Sequence, residues 1–379
     1  MFHDIYLGAL KESPLPPLMR HGSTTLALLT DIIIGGPRGR RREGDVPVEV
    51  LESILSLLNL RDNIRSSAVC RRWLAAAVSV RRPNRPPLLM YFPKHSDLHE
   101  FYDPSDRRTH RLVLPELRGC RILYAKDRWL LLARPSTLNV FFFCPYTRET
   151  IALPELRILY QKVAFSSAPT SPDCVVFAVA YDMFDSIISI RTCRPGATHW
   201  NSWAYNHPRQ FIRSTWHQVV FSSARIYCLH ISGQVGVFNR ENDTWKVYVT
   251  PPNNLSVRSR WSDKFMAEHN GEMYVVRCCA ATNPVIYRFN EGNETWTEVG
   301  SLGGMTLFAN ASSSLVRTDL VGKLAGNVVF PKVLLYGSRC VTYFPNHGRY
   351  YPRNQLYNWD DEQSDSVWID APADASIFL

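Results

Sequence analysis

Hydrophobic and polar positions follow two different periods along the chain. In the stretch "VPVEVLESILSLLNLRDNIRSSAVCRRW", residues 46–73, apolar residues recur at intervals of three and four, which is the spacing of one face of an α-helix. Asn59 and Asp62 interrupt this pattern and divide it into two short helices. After residue 83, short runs alternate apolar and polar positions between turns rich in Gly, Pro, Asn and Asp. The pattern therefore predicts a mainly β protein with a small α-helical head.

The apolar face of the head is larger than two short helices can bury between themselves. Asp45 can cap the first helix and Pro47 suits its first turn. The apolar stripes of the two helices contain Val50, Leu51, Ile54, Leu55 and Leu58, and then Ile64, Ala68, Val69, Trp73 and Ala77. We expect part of this face to contact a partner. The alternative is that it packs on the domain that follows.

The β-rich region is built from a repeat. "FNRENDTW" and "FNEGNETW" match at Phe, Asn, Asn, Thr and Trp, and weaker copies extend the series towards the N-terminus. The matching threonines are separated by 41, 48, 46 and 51 residues, and they are Thr109, Thr150, Thr198, Thr244 and Thr295. Repeats of about 40 to 50 residues with about four strands each are typical of β-propeller blades. We expect each Thr to start the outermost strand, and Trp245 and Trp296 to be structural.

A sixth, degenerate repeat is predicted in "NVVFPKVLLYGSRCVTYF" and "NQLYNWDDEQSDSVWID". No Trp-Asp pair closes the repeats, so the blades are nearer the kelch type than the WD type. The prediction is a kelch-type β-propeller of about six blades, with the count uncertain by one.

The helical stretch resembles the F-box. The match includes a closing Val-Cys-x-x-Trp, departs from the family at Val46, where Leu is usual, and retains Pro47, Glu49, Leu51, Ile54, Leu55, Val69, Cys70 and Trp73. Residues 45–375 together resemble a plant F-box/kelch-repeat protein, although the double-Gly kelch signature is absent. The expected organisation is a flexible extension at 1–44, an F-box at 45–82 and a kelch-like propeller at 83–375.

The resemblance implies a substrate-recognition subunit of a cullin-based ubiquitin ligase of the SCF type. The F-box would bind a Skp-type adaptor, and through it the cullin scaffold, while the propeller binds the target protein. The implied adaptor-binding residues are Pro47, Leu51, Ile54, Leu55, Leu58, Ile64, Val69, Cys70 and Trp73. The alternative is a protein-interaction scaffold outside the ligase, with a vestigial F-box.

Charge suggests where a target could bind. The chain of 379 residues carries a net charge of +9, and residues 186–240 contain Arg and His but no Asp, Glu or Lys. Two predicted blade junctions, "YNHPRQFIRSTWH" and "TPPNNLSVRSRWSD", combine basic and aromatic residues of the kinds enriched at interfaces. We predict a pocket there for an acidic or phosphorylated protein segment, formed by Arg209, Arg213, Trp216, Arg258, Arg260 and Trp261. The alternative is that these are solvated loops.

The remaining chemistry argues against other classes. His95 and His99 lie in a strand-and-turn pattern without the His-Glu-x-x-His order, and no phosphate loop or nucleophile motif is present, so we expect no catalytic residue, metal or cofactor. Nucleic acid is not favoured as a partner, because no binding motif accompanies the modest charge. No membrane span or secretory signal is apparent, and the nine Cys lack a C-x-x-C pair. We expect a cytoplasmic or nuclear protein.

Overall fold

The structure of the chain is a computed structural model. It describes residues 47–56, 63, 66–67, 69–80, 86–93, 95–134, 139–156, 160–182, 186–206, 216–248, 262–279, 282–318, 320, 322–331, 339–351 and 366–372. The chain divides into two compact units, Met1–Pro83 and Asn84–Leu379. The described α-helices lie in the first unit and the strands in the second.

Two short helices form the first unit as described. Helix α1 spans Val48–Ser56 and helix α2 spans Arg71–Ser79. The first turn of α1 starts from Pro47, whose carbonyl accepts a hydrogen bond of 3.1 Å from the amide of Leu51. Cys70 precedes α2 with an extended backbone, as expected of a residue at a helix N-cap. The α-helical head predicted from the apolar spacing is confirmed.

The second unit is a six-blade β-propeller, as the repeat predicted. The strands of the first three blades are β1 (Leu88–Tyr91), β2 (Leu98–Asp103) and β3 (Arg108–Val113); β4 (Arg121–Lys126), β5 (Trp129–Arg134), β6 (Asn139–Phe143) and β7 (Thr150–Ala152); β8 (Lys162–Phe165), β9 (Val176–Asp182), β10 (Ile187–Cys193) and β11 (Asn201–Asn206). The strands of the next two blades are β12 (Trp216–Ser222), β13 (Arg225–His230), β14 (Val235–Asn239) and β15 (Thr244–Tyr248); β16 (Ser262–His269), β17 (Glu272–Cys279), β18 (Thr282–Asn290) and β19 (Thr295–Glu298).

The sixth blade has five strands in the described chain. They are β20 (Thr306–Phe308), β21 (Leu315–Arg317), β22 (Val328–Pro331), β23 (Cys340–Phe344) and β24 (Arg349–Tyr351). Their order is β21-β20-β22-β23-β24, and β20 runs parallel to β22. The predicted sixth repeat is therefore split, because "NVVFPKVLLYGSRCVTYF" contains β22 and β23, while "SVWID" contains strand β25 (Ser366–Ile369) of the first blade.

The propeller closes by pairing strands from its two ends. β25 pairs antiparallel with β1 over four residue pairs, from Leu88 opposite Ile369 to Tyr91 opposite Ser366. In blades two to five the strands are antiparallel neighbours in chain order. The innermost strands β25, β4, β8, β12, β16 and β21 contact one another in that order around the central axis. Closure removes the two sheet edges that an open arrangement would leave unpaired.

Burial follows the position of a strand within its blade. Strand β5, inside the second blade, is buried at five of its six positions because neighbouring blades cover it, whereas the outermost strand β3 alternates half-buried and exposed residues. The repeat threonines begin the outer strands β7, β15 and β19 as predicted, and Thr109 is the second residue of β3. Thr198 departs from the expectation, since it lies three residues before β11.

Candidate interaction sites

The head has a small core of its own. Leu51 and Leu55 of α1 are buried against Trp73 and two alanines, Ala76 and Ala77, of α2. Leu51 and Leu55 are four positions apart, and Trp73 lies three and four positions before the two alanines, so the residues form facing stripes. The arrangement makes each helix depend on the other for burial of its apolar face.

A buried amide connects the ends of the two helices. The side chain of Asn63 donates hydrogen bonds to the carbonyl of Leu55, at 3.4 Å, and to the carbonyl of Ala77, at 3.3 Å. At the surface, the hydroxyl of Ser79 donates to a carboxylate oxygen of Glu52 at 2.6 Å. Both contacts join α1 to α2 and fix the relative position of the helices.

The predicted adaptor-binding residues fall into three groups. Leu51, Leu55 and Trp73 are buried in the head, so their side chains support the helices rather than face a partner. Pro47 and Val69 are exposed, and Ile54 and Cys70 are half-buried. The remaining two predicted residues, Leu58 and Ile64, lie outside the described residues.

Two apolar side chains on α2 were missed by the sequence prediction. Leu74 is 45% exposed and Val78 is 50% exposed, and the four-residue spacing puts both on one face of the helix. The signal was present in the sequence, because these residues stand beside the buried positions Trp73 and Ala77 rather than among them. With Val69 and Val48, they are the exposed large apolar side chains of the described head.

The structure places Trp216 in the core and not at a surface site. Its side chain is fully buried at the start of β12, with ring centroids 5.2 Å from His230 and 5.4 Å from Trp245. This is a correction to the predicted target-binding set, and its cause is the packing of three rings within one blade. The other five members, Arg209, Arg213, Arg258, Arg260 and Trp261, lie outside the described residues.

Residues 309–314, which we call the plug, connect β20 to β21 and bond to inner strands of other blades. The carbonyl of Ala309 accepts from the indole N–H of Trp368 at 2.9 Å, and the side-chain amide of Asn310 donates from Nδ2 to the carbonyl of Ser366 at 3.0 Å. The hydroxyl of Ser313 accepts from the backbone N–H of Ala125 at 3.2 Å. The plug therefore connects blade six to blades one and two.

Two long side chains tie the plug to the third and fourth blades. Lys162, the first residue of β8, donates from Nζ to the carbonyls of Ala311, at 3.0 Å, and Ser312, at 2.7 Å. Gln218 of β12 donates from Nε2 to the same carbonyl of Ala311 at 2.8 Å. Because the acceptors belong to one loop, the plug bonds to the inner strands of four blades near the central axis.

Further basic groups lie close to Lys162. His217 of β12 has its Nε2 3.2 Å from the carbonyl of Lys264, which is in β16, and the Nζ of Lys264 donates to the carbonyl of Ile231 at 2.8 Å. Arg121 is the first residue of β4. We call Arg121, Lys162, His217 and Lys264 the axial cluster, since each belongs to a different innermost strand.

Burial and like charge disfavour the protonated forms in this cluster. Burial, with a contribution from the charge of Arg121, lowers the pKa of Lys162 to about 7. Burial, followed by the charges of Lys264 and Lys162, lowers the pKa of His217 to about 3. His217 is therefore neutral at physiological pH. Its Nε2, which faces a carbonyl, carries the ring proton and Nδ1 carries a lone pair.

Two further findings concern metals and membranes. Within the described ranges, no three His, Cys, Asp or Glu side chains are grouped so that they could hold a metal ion. No helix in that part of the chain has the length and apolar character needed to cross a bilayer.

A two-helix head followed in the chain by a six-blade propeller defines a propeller protein with a helical N-terminal unit. A family profile described as F-box-like matches residues 44–81, and one described as KIB1-4 beta-propeller matches residues 101–346. The chain belongs to the KIB1-4 beta-propeller family of F-box proteins.

Relatives in Arabidopsis thaliana are named as F-box or F-box/kelch-repeat proteins. An F-box/kelch-repeat protein is 36% identical over 337 residues, which cover 87% of this chain and 95% of that protein. An F-box protein is 34% identical over 322 residues, which cover 85% of this chain and 83% of that protein. A second F-box/kelch-repeat protein is 32% identical over 308 residues, which cover 76% of this chain and 80% of that protein. The resemblance to plant F-box/kelch-repeat proteins is confirmed.

Proposed function

We propose that this protein is the substrate-recognition subunit of a cullin-based, SCF-type ubiquitin ligase. The observation that carries the proposal is an F-box-like head joined to a closed propeller, with apolar side chains left exposed on the head. F-box proteins are typically non-catalytic adaptor subunits. In this role the chain supplies proximity between a target and a conjugating enzyme, rather than a reacting group of its own. The proposed location is the cytoplasm, the nucleus or both.

The head would bind a Skp-type adaptor through its exposed apolar residues. Leu74 and Val78 supply a continuous apolar face on α2, and Pro47, Ile54, Val69 and Cys70 are the surface-accessible members of the set predicted from sequence. An exposed apolar helix face of this kind fits a partner groove and is costly to leave in water. Leu51, Leu55 and Trp73 would contribute by holding the helices in place.

The target would bind to the propeller. The sequence-based proposal retains Arg209, Arg213, Arg258, Arg260 and Trp261 as a basic, aromatic site for an acidic or phosphorylated segment. Arginine forms bidentate contacts with carboxylates and phosphates, which supports this choice of target. Replacing Arg213, Arg258 and Arg260 by Glu should remove target capture and leave adaptor binding unchanged.

The adaptor interface is tested with a charge on the exposed helix face. Leu74→Arg combined with Val78→Arg should weaken capture of a purified Skp-type adaptor by at least about tenfold, because a buried unpaired charge is unfavourable at an interface. Val113→Arg is the matched control, since Val113 is an exposed apolar residue of the propeller. Both variants should melt like the wild type.

Two results would count against the proposal. Undiminished adaptor binding by the folded double variant would remove the proposed face. Adaptor binding without recruitment of a cullin, or without target ubiquitylation in a reconstituted reaction, would favour a scaffold outside the ligase.

A further inference from the structure

The inner strands bring basic side chains to one end of the propeller axis. Arg121 and Lys162 are the first residues of β4 and β8, His217 is the second of β12, and Lys264 is the third of β16. The innermost strands of a propeller run in the same direction along its axis. The first residues of these strands therefore lie at the same end of the axis. Four adjacent blades therefore contribute basic groups to a single place.

Electrostatics within this cluster are repulsive. The charged groups that act on the pKa of Lys162 and His217 are themselves basic, namely Arg121 for the lysine, and Lys264, Lys162 and His230 for the imidazole. Lys162 makes its two hydrogen bonds to neutral carbonyls of the plug. Carbonyl dipoles satisfy the donors of an ammonium group but do not cancel its charge. An anion beside Lys162 would supply the missing negative charge.

The imidazole of His217 sets a second requirement for a ligand of the axial cluster. Its Nε2 donates to the carbonyl of Lys264, and its Nδ1 has no hydrogen-bond partner among the described residues. A buried acceptor without a donor is unfavourable because its lost hydration is not replaced. The atom best suited to face Nδ1 is therefore one that carries a proton.

The axial cluster is only partly exposed to solvent. Lys162 and His217 are partly exposed, whereas Lys264 behind them is buried. The plug lies in direct contact with Lys162 and takes part of the space on the axis. These two facts favour a compact ligand over an extended peptide.

We propose that the axial cluster binds a compact phosphate ligand that still carries a proton on one oxygen. Lys162 donates to an anionic oxygen, Arg121 and Lys264 lend positive charge, and the phosphate O–H donates to Nδ1 of His217. Inorganic phosphate near neutral pH offers both kinds of oxygen, whereas sulfate and carboxylates offer acceptors alone. The site does not depend on the adaptor-binding role of the head.

The probe is inorganic phosphate, titrated into the full chain by calorimetry at pH 6.5 and constant ionic strength. The wild type should bind one phosphate saturably and prefer it to sulfate. Lys162→Met should weaken phosphate binding by about tenfold or more, since a hydrogen bond to a charged group is lost. Lys246→Met is the matched control, because Lys246 pairs with Glu294 at the outer surface, and it should bind phosphate like the wild type.

A second variant separates the two parts of the site. His217→Phe removes Nδ1 and should abolish the preference for phosphate over sulfate while retaining binding of sulfate. His217→Phe also tests the proposed site if Lys162→Met, which loses the hydrogen bonds to the plug, does not fold. Lys162→Arg, which retains the charge, should bind phosphate more tightly than Lys162→Met wherever both fold.

Three results would overturn the proposal. The first is that the wild type does not bind phosphate saturably. The second is that a folded Lys162→Met variant binds phosphate as tightly as the wild type. The third is that His217→Phe still prefers phosphate to sulfate. A phosphoserine peptide is titrated into the full chain as a second probe. If the peptide binds and inorganic phosphate does not, the ligand is a protein-borne phosphoryl group and the compact ligand proposed here is wrong.

Discussion

Leu89 lies opposite Trp368 in the antiparallel strand pair that joins the beginning of the propeller to its end. The indole of Trp368 is fully buried, its ring centroid is 5.1 Å from that of Phe308, and its N–H donates to the plug carbonyl of Ala309. One side chain thus contributes to strand pairing, blade packing and plug position.

Removing this side chain should therefore destabilise the whole propeller. Trp368→Ala should lower the free energy of unfolding by about 3 to 5 kcal/mol, which is the usual loss for truncating a buried Trp. Urea unfolding followed by circular dichroism measures this change. Tyr351→Ala is the control, because Tyr351 is exposed on an outer strand and its polar contact is with the exposed Arg107, so its removal should cost less than about 1 kcal/mol.

Deleting the closing strand should have a stronger effect than any point change. A chain that ends at Tyr351 lacks β25 and leaves β1 with an unpaired edge. Exposed edges promote aggregation, so we expect the truncated β domain to be insoluble as a whole. A soluble truncation with a cooperative melting transition would contradict a closed ring.

Glu291 ties the fifth blade to the fourth. Its carboxylate accepts from the hydroxyls of Tyr227, at 2.5 Å, and Tyr248, at 3.1 Å, and pairs with Arg225 at 2.7 Å. Glu291→Gln should lower the free energy of unfolding by about 1 to 3 kcal/mol, since charged hydrogen bonds are lost. The exposed pair of Glu294 and Lys246 provides the control, and Glu294→Gln should change stability by less than about 0.5 kcal/mol.

The same substitution has a spectroscopic signature. Burial, together with the hydrogen bond to Glu291, raises the pKa of Tyr227 to about 12. Glu291→Gln should lower this pKa without restoring the ordinary value, because burial remains. Ultraviolet titration of the tyrosinate absorbance measures the shift. An unchanged titration curve would show that the carboxylate does not act on Tyr227.

Gly236 is required by the ring that covers it. A methyl group at this position would stand 2.1 Å from one ring carbon of Trp245 and 3.0 Å from Trp216. Gly236→Ala should lower stability by about 1 to 3 kcal/mol through overpacking and should change the tryptophan fluorescence. Gly300→Ala is the matched control, since nothing lies within 4 Å of its added methyl group. Equal stability of the two variants would argue against the close approach.

Lys162 should make stability rise with pH above neutrality. Its pKa is about 7 in the folded chain, against an ordinary value of 10.5. Between these values the unfolded chain binds a proton that the folded chain has released. The free energy of unfolding therefore increases with pH, by at most about 1.4 kcal/mol per unit. The surrounding titratable groups are Arg121, Lys264, His217 and His230.

The measurement compares urea unfolding of wild type and Lys162→Met from pH 7 to about pH 9.5. The gain in stability with pH should be smaller in the variant, whereas Lys246→Met should retain the wild-type slope. Parallel curves for wild type and Lys162→Met would mean that the folded lysine titrates at its ordinary pKa. The titration of His217 does not interfere, because its pKa of about 3 places it in acid solution.

The architecture could be predicted because the repeat is local. Blades two, four and five repeat the same turn and outer strand, and their threonines Thr150, Thr244 and Thr295 start outer strands as expected. The F-box-like head was predicted from its motif for the same reason. In both cases the information lies within a few consecutive residues.

The features that failed depend on contacts between distant parts of the chain. Trp216 follows a polar, basic segment and was predicted at a surface, yet Gly236 and Trp245 provide a buried place for its ring. Lys162 and Lys264 have the side chain most typical of a surface, and only ring closure brings them near the axis. The plug "ANASSS" has no periodic pattern, so its role could not be predicted from its own residues.

The strand order also determines when the propeller can close during synthesis of the chain. Chains emerge from the ribosome N-terminus first, at about 5 to 20 residues per second, so the head is made before the propeller. The edge of β1 that pairs with β25 stays unpaired while the strands of five further blades are synthesised. Through this interval its edge is open to chaperones and to wrong partners. Newly made chains should therefore present a folded head before they present a finished propeller, and the youngest molecules in a cell are those most exposed to misassembly.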